Sequence, residues 1–82
     1  MRLSGLAGGL MRNFDDTQGG HWQAALLEAS YGNTLVVFSR LGDDVVRKAV
    51  LNAENMRLAE QQLLHMDESQ LRGLLAESVP WT

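Results

Sequence analysis

A chain of 82 residues with a net charge of −3 and no cysteine is sized for one domain, and it excludes disulfides, thiolate metal sites and recognition carried mainly by phosphates. The hydrophobic fraction, 45%, is that of a folded protein, and no apolar run approaches the roughly 20 residues a membrane helix needs. Nothing in the composition argues for secretion, so a cytoplasmic location is the expectation.

The N-terminal segment MRLSGLAGGLMR has a basic residue followed by a short apolar stretch, as a signal peptide does. Arg12 follows directly and no small-residue cleavage site is present, so the segment is read as part of the mature chain. Leu3, Leu6, Leu10, Met11 and Phe14 have helical spacing, but Gly5, Gly8 and Gly9 each cost a helix about 1 kcal/mol relative to alanine. A short helix or an irregular arm is expected, with residues 15–20, DDTQGG, as a polar connector.

Residues 21–52 read as an antiparallel sheet. Thr34, Val36, Val37 and Phe38 favour strand, and strands are expected at about 21–29 and 34–41, with Gly32-Asn33 supplying a tight turn. LGDDVVRKAV, residues 41–50, has two readings. As a hairpin, Gly42-Asp43 forms a two-residue turn and Val45, Val46 and Val50 enter a third strand. As a helix running from 43 to 66, Asp43 pairs with Arg47 and Asp44 with Lys48. The helical stripe meets Glu60 and Gln61 where it should stay apolar, which favours the hairpin.

Residues 53–79 read as two helices. Met56, Ala59, Leu63 and Met66 share a face, with Asn52 as the expected N-cap and Glu54 in the first turn. Asp67 with Gln70 approximates a capping box for a second helix that buries Leu71, Leu74 and Leu75 and stops at Pro80, after which Trp81 is expected to fold onto the core. The expected fold is therefore α+β: a three-stranded antiparallel sheet in the order β-β-β-α-α, with two helices on one face. The alternative is a hairpin followed by the long helix.

The chemistry-bearing residues do not converge. His21 and His65 lack ligand spacing, no serine lies in a nucleophile elbow, GLAGG lacks the spacing of a phosphate loop, and the acids and bases of DDVVRK read as solvated pairs. No catalytic, cofactor or metal residues are expected, and an enzyme is not. A helix-turn-helix reading of residues 55–78 fails because Glu68 and Glu77 would face phosphates beside Arg72 alone.

The informative feature is that strand 34–41 is apolar on both sides, with Leu35, Val37 and Leu41 opposed to Val36 and Phe38. Two short helices cover one face. The other falls to the N-terminal arm or to a partner, most simply a second copy. The expected function is a non-enzymatic protein–protein interaction module, homodimeric in its simplest form. Its contact surface would be built from Trp22, Val36, Phe38, Arg40, Arg47 and Lys48. The alternative is a small-ligand or regulatory domain with a pocket between sheet and helices, lined by methionines and Trp81. Neither nucleic acid nor membrane is an expected partner.

Overall fold

A computed structural model describes residues 6–28 and 33–81, with side chains from Leu10 onward. Strand β1 spans Leu6–Asp15, β2 His21–Glu28, β3 Thr34–Arg40 and β4 Val46–Leu51. Helices α1, Met56–His65, and α2, Glu68–Glu77, follow, and the short strand β5, Val79–Pro80, ends the described chain. The strands form one antiparallel sheet in chain order, β1-β2-β3-β4-β5. The protein is α+β, but the sheet has five strands rather than three, and the order is β-β-β-β-α-α-β.

The correction arises at both ends. Leu10 and Phe14, four residues apart, share a face in a helix but also in a strand, so their spacing does not separate the two. They belong to β1, whose side chains at Leu10 and Phe14 pack on the core. Leu6 pairs with Leu27 and Met11 with Ala25, so five steps along β1 oppose two along β2. The AGG of residues 7–9 lies in this irregularity, where glycine is at home in a bulge. At the other end, β5 is two residues long and carries a proline, too little for any periodicity. It adds to β4 through Lys48–Val79 and Arg47–Pro80, and the Trp81 amide donates to the Val46 carbonyl at 3.0 Å.

Strand β4 excludes a helix from 43 to 66. Its connection to β3 is wider than a two-residue turn: Ser39 pairs with Val46, the Arg40 amide donates to the Val45 carbonyl, and Gly42 holds φ at +99°. The Asp43 carboxylate accepts from the Val45 amide at 3.1 Å and lies 3.6 Å from Arg40 Nε, which makes it a turn residue. The expected turn at Gly32-Asn33 falls partly outside the described residues, as does Leu3 of the expected arm.

Both helices pack on one face of the sheet. The core there is Phe14, Trp22, Ala24, Leu26, Val36, Phe38, Ala49 and Leu51 from the strands, with Ala59, Leu63 and Leu71 from the helices. Phe14 and Phe38 meet edge to face, with ring centroids 5.9 Å apart. The N-cap of α1 is Asn55, not Asn52; its side chain accepts from the Leu58 amide at 2.9 Å, and no acidic residue lies in the first turn. Asp67 caps α2 in a full capping box with Gln70. That helix ends at Ser78, where the chain turns into β5.

Candidate interaction face

The alternation of side chains along each strand sorts the sheet into two faces. Residues facing the helices include Val36 and Phe38, both 0% exposed, and Trp22, 5% exposed. These three were expected on a contact surface; they are instead enclosed under α1 and α2 within one chain. Two buried sides were legible in β3, but which side the helices take is decided by the helices' apolar faces and connections, not by the strand.

Among the described residues, the opposite face carries no helix. Its cross-strand rows follow from the register. One row is Met11–Ala25–Val37–Lys48–Val79, a second is Leu27–Leu35–Val50, and a third is Asn13–Gln23–Ser39–Val46. Ala25 and Val37 in the middle are buried, 4% and 5% exposed, while Met11 (51% exposed), Val50 (58%), Val79 (52%) and Trp81 (41%) stand out around them. This face has few charges. Lys48 Nζ sits 5.5 Å from the centre of the Trp81 ring, a cation–π contact that shields its charge. At one end His21 Nδ1 lies 2.6 Å from Asp15 Oδ1, both side chains exposed. Trp81 therefore does not fold onto the core; it lies on the far side of the sheet.

The three bases expected to gather in a patch are dispersed. Arg47 and Lys48 are consecutive and take opposite faces, and Arg40 stays at the turn with Asp43. Arg47 reaches under the sheet, donating through Nε to Ser78 Oγ at 2.7 Å and through its terminal nitrogen to the Ser78 carbonyl at 2.6 Å. The DDVVRK quartet is thus divided among a turn, a helix end and an aromatic ring.

Two other arginines do similar work, unforeseen in the sequence. Arg12 of β1 faces the helices, and one terminal nitrogen donates to the carbonyls of Leu63 and Leu64 at 2.7 and 2.8 Å. These are last-turn groups of α1 at the negative end of its dipole, and the Leu63 carbonyl also accepts from the Met66 amide at 3.4 Å. Arg72 of α2 donates to the Asp15 carbonyl on the outer edge of β1 at 2.7 Å. The signal for Arg12 in the sequence is a long cation between Leu10 and Phe14 on a core-facing side, visible only once that segment is read as a strand.

Asp16 organises the β1–β2 connection. One carboxylate oxygen accepts from the amides of Gln18 and Gly20 at 2.8 and 2.7 Å, and the other from the Trp22 indole at 2.8 Å. The Trp22 bond, then the Gly20 and Gln18 amides, hold its carboxyl below the usual 3.8; partial burial opposes this, and Arg40 adds to the lowering. The donors belong to the loop and to Trp22 at the start of β2, so the group reads as a brace.

A cleft of about 510 Å³ lies between the strand ends and α1, beside Thr34, Leu51, Ala53, Leu58 and Gln62, but the methionines and Trp81 expected to line a pocket between sheet and helices do not come together among the described residues. Met56 and Met66 pack against the core, and Met11 and Trp81 are on the other side of the sheet. A groove of about 380 Å³ does lie at the rim of β4 and α2, lined by Leu35, Lys48, Val50, Leu74, Glu77 and Val79. Among the described residues, no three histidine or carboxylate side chains are placed to hold a metal ion, and no helix is long and apolar enough to cross a membrane. Comparison with protein-family models, with curated proteins and with solved structures finds no match.

Proposed function

We propose that the protein is a non-enzymatic protein–protein interaction module that docks through the sheet face opposite its helices. The observation that carries this is the ring of exposed Met11, Val50 and Val79 around the low centre formed by Ala25 and Val37. Exposed apolar side chains gathered on one face support a binding surface, since each large one withdrawn from water contributes about 1.5–3 kcal/mol. The few charges on the face fit an occupant that is itself apolar. The cysteine-free chain suits a reducing compartment, and a cytoplasmic setting belongs to the same proposal.

The test is affinity capture and size-exclusion chromatography with the wild-type chain and a Met11→Lys/Val50→Lys variant, both shown to be folded by circular dichroism. The expected result is a stoichiometric protein partner, own copies included, held by the wild type and lost by the variant. If both chains hold the same proteins and elute identically, the face is not the docking surface.

A second reading, a small-ligand or regulatory domain, has one observation in its favour: the rim groove has a pocket-like volume and sets Lys48 and Glu77 beside apolar walls. A metabolite panel that raises Tm in the wild type but not in a Glu77→Gln/Leu74→Ala variant would support it. No shift across the panel would remove it.

A further inference from the structure

We infer that β5 is a displaceable edge strand: it swings away about Ser78 while the rest of the domain stays folded, and the edge of β4 that it leaves takes an extended polypeptide segment of a partner. Backbone groups at the rim carry this, so it does not depend on the sheet face as a docking surface.

The chain is held very differently on the two sides of Ser78. Ser78 itself is buried and accepts two hydrogen bonds from Arg47, while its own amide and hydroxyl donate to the Leu75 carbonyl. Beyond it, the side chains of Val79, Pro80 and Trp81 are all exposed. A groove lies on either side of them. One, of about 380 Å³, opens toward Val50 and Leu74, and the other, of about 340 Å³, toward Asp44 and Val45. What fastens β5 is therefore its backbone pairing with β4, together with the Lys48 ammonium over the Trp81 ring. Elements with few buried contacts and solvent-exposed hydrogen bonds open at a small fraction of the global unfolding free energy.

The ladder shows what the edge would accept. The Trp81 amide donates to the Val46 carbonyl, which makes Val46–Trp81 a hydrogen-bonded pair. Pairs alternate in an antiparallel ladder. Arg47–Pro80 is therefore a pair without hydrogen bonds, as suits a residue lacking an N–H, and Lys48–Val79 is bonded again. The outward groups of β4 are thus those of Val46, Lys48 and Val50. The chain leaves α2 at Ser78, so β5 starts opposite Lys48, and among the described residues no strand pairs with Val50 on that side. An extended segment without proline reaches all three outward residues, where β5 reaches two. It forms more main-chain bonds than it releases, and such bonds give strand addition its affinity. The groove at Val50, with Leu35 and Leu74 in its walls, has room for an apolar side chain of that segment.

Amide hydrogen exchange on the full chain tests the opening. On one and the same strand, the Lys48 amide points to β5 and the Ala49 amide to β3. The Lys48, Val79 and Trp81 amides are expected to exchange together, with protection at least about 10-fold below that of Ala49. Trp81→Ala, which takes the ring from Lys48, should widen the gap and leave Ala49 unchanged. Equal protection of Lys48 and Ala49 overturns the displaceable strand. The edge is then probed with a peptide of alternating threonine and valine, six residues long like β4, and with a version carrying a central proline. The expected result is saturable shifts of the Val46, Lys48 and Val50 amides with the first peptide and none with the second. No shift at millimolar peptide, or equal shifts with both, overturns strand addition. Either failure leaves the sheet-face reading standing, because that reading is tested through the side chains of Met11 and Val50.

Discussion

The smallest unit with a clear energetic role is Asp16. Its carboxylate takes three hydrogen bonds from groups that come together only in the folded loop, so its folded pKa lies below its unfolded one. A depressed carboxyl stabilises the fold above the unfolded value, 3.8, and that contribution is lost as pH falls through the lower folded value. Carbon-detected NMR titration is expected to place the Asp16 midpoint below those of the exposed carboxylates. An Asp16→Asn chain should lose this part of the acid-induced loss of stability, and the Trp22 indole proton should shift with it. Gly20 belongs to the same brace. A Cβ there would stand 2.5 Å from Asp16 Oδ2, an oxygen already held by the Trp22 indole. Gly20→Ala should therefore cost about 1–3 kcal/mol in urea unfolding, as overpacking does. DDTQGG reads as a connector in sequence, which it is. That its first two acids differ in role, one braced and one paired with His21, depends on where Trp22 points and is not visible in composition.

At the scale of elements, three arginines join the layers through backbone carbonyls. Arg12 satisfies the end of α1 and Arg47 the end of α2, while Arg72 ties α2 to the outer edge of β1. Hydrogen bonds from charged donors contribute about 1.5–3 kcal/mol each. Arg12→Met, which keeps the aliphatic stem, is expected to lower unfolding free energy by that amount. It should also speed amide exchange in the last turn of α1 ahead of the sheet. Asn55→Ala should cost about 1 kcal/mol through the lost N-cap, and Asn52→Ala should leave that cap intact. The strands β2, β3 and β4 and both helices were legible because each carries a run with its own period or a capping signal. β1 was not, since Leu10 and Phe14 satisfy both periods and the glycines that argue against a helix are those a bulged strand accepts. β5 was not, since two residues have no pattern. Lost with those two strands were the positions of Arg12 and Trp81.

For the whole molecule, the two-sided apolarity of β3 was legible, and the assignment of its sides was not. A strand can show that both faces want cover. Which face receives the helices depends on the whole tertiary arrangement, so Trp22, Val36 and Phe38 became core under the helices while Leu35 and Val37 lie on the opposite side. The two sets should respond differently. Phe38→Ala empties a fully buried site and is expected to cost about 3–5 kcal/mol, a large fraction of a small domain's stability. Val50→Lys, on the exposed rim, should change monomer stability little and act on association. Sedimentation velocity across the micromolar range, on the wild type and on Met11→Lys/Val50→Lys, bears most directly on the sheet face opposite the helices as the working surface. A concentration-dependent dimer in the wild type, abolished in an equally folded variant, is the expected outcome. A wild type that sediments as a monomer at every concentration up to several hundred micromolar, and that retains the same proteins as the variant, would contradict it.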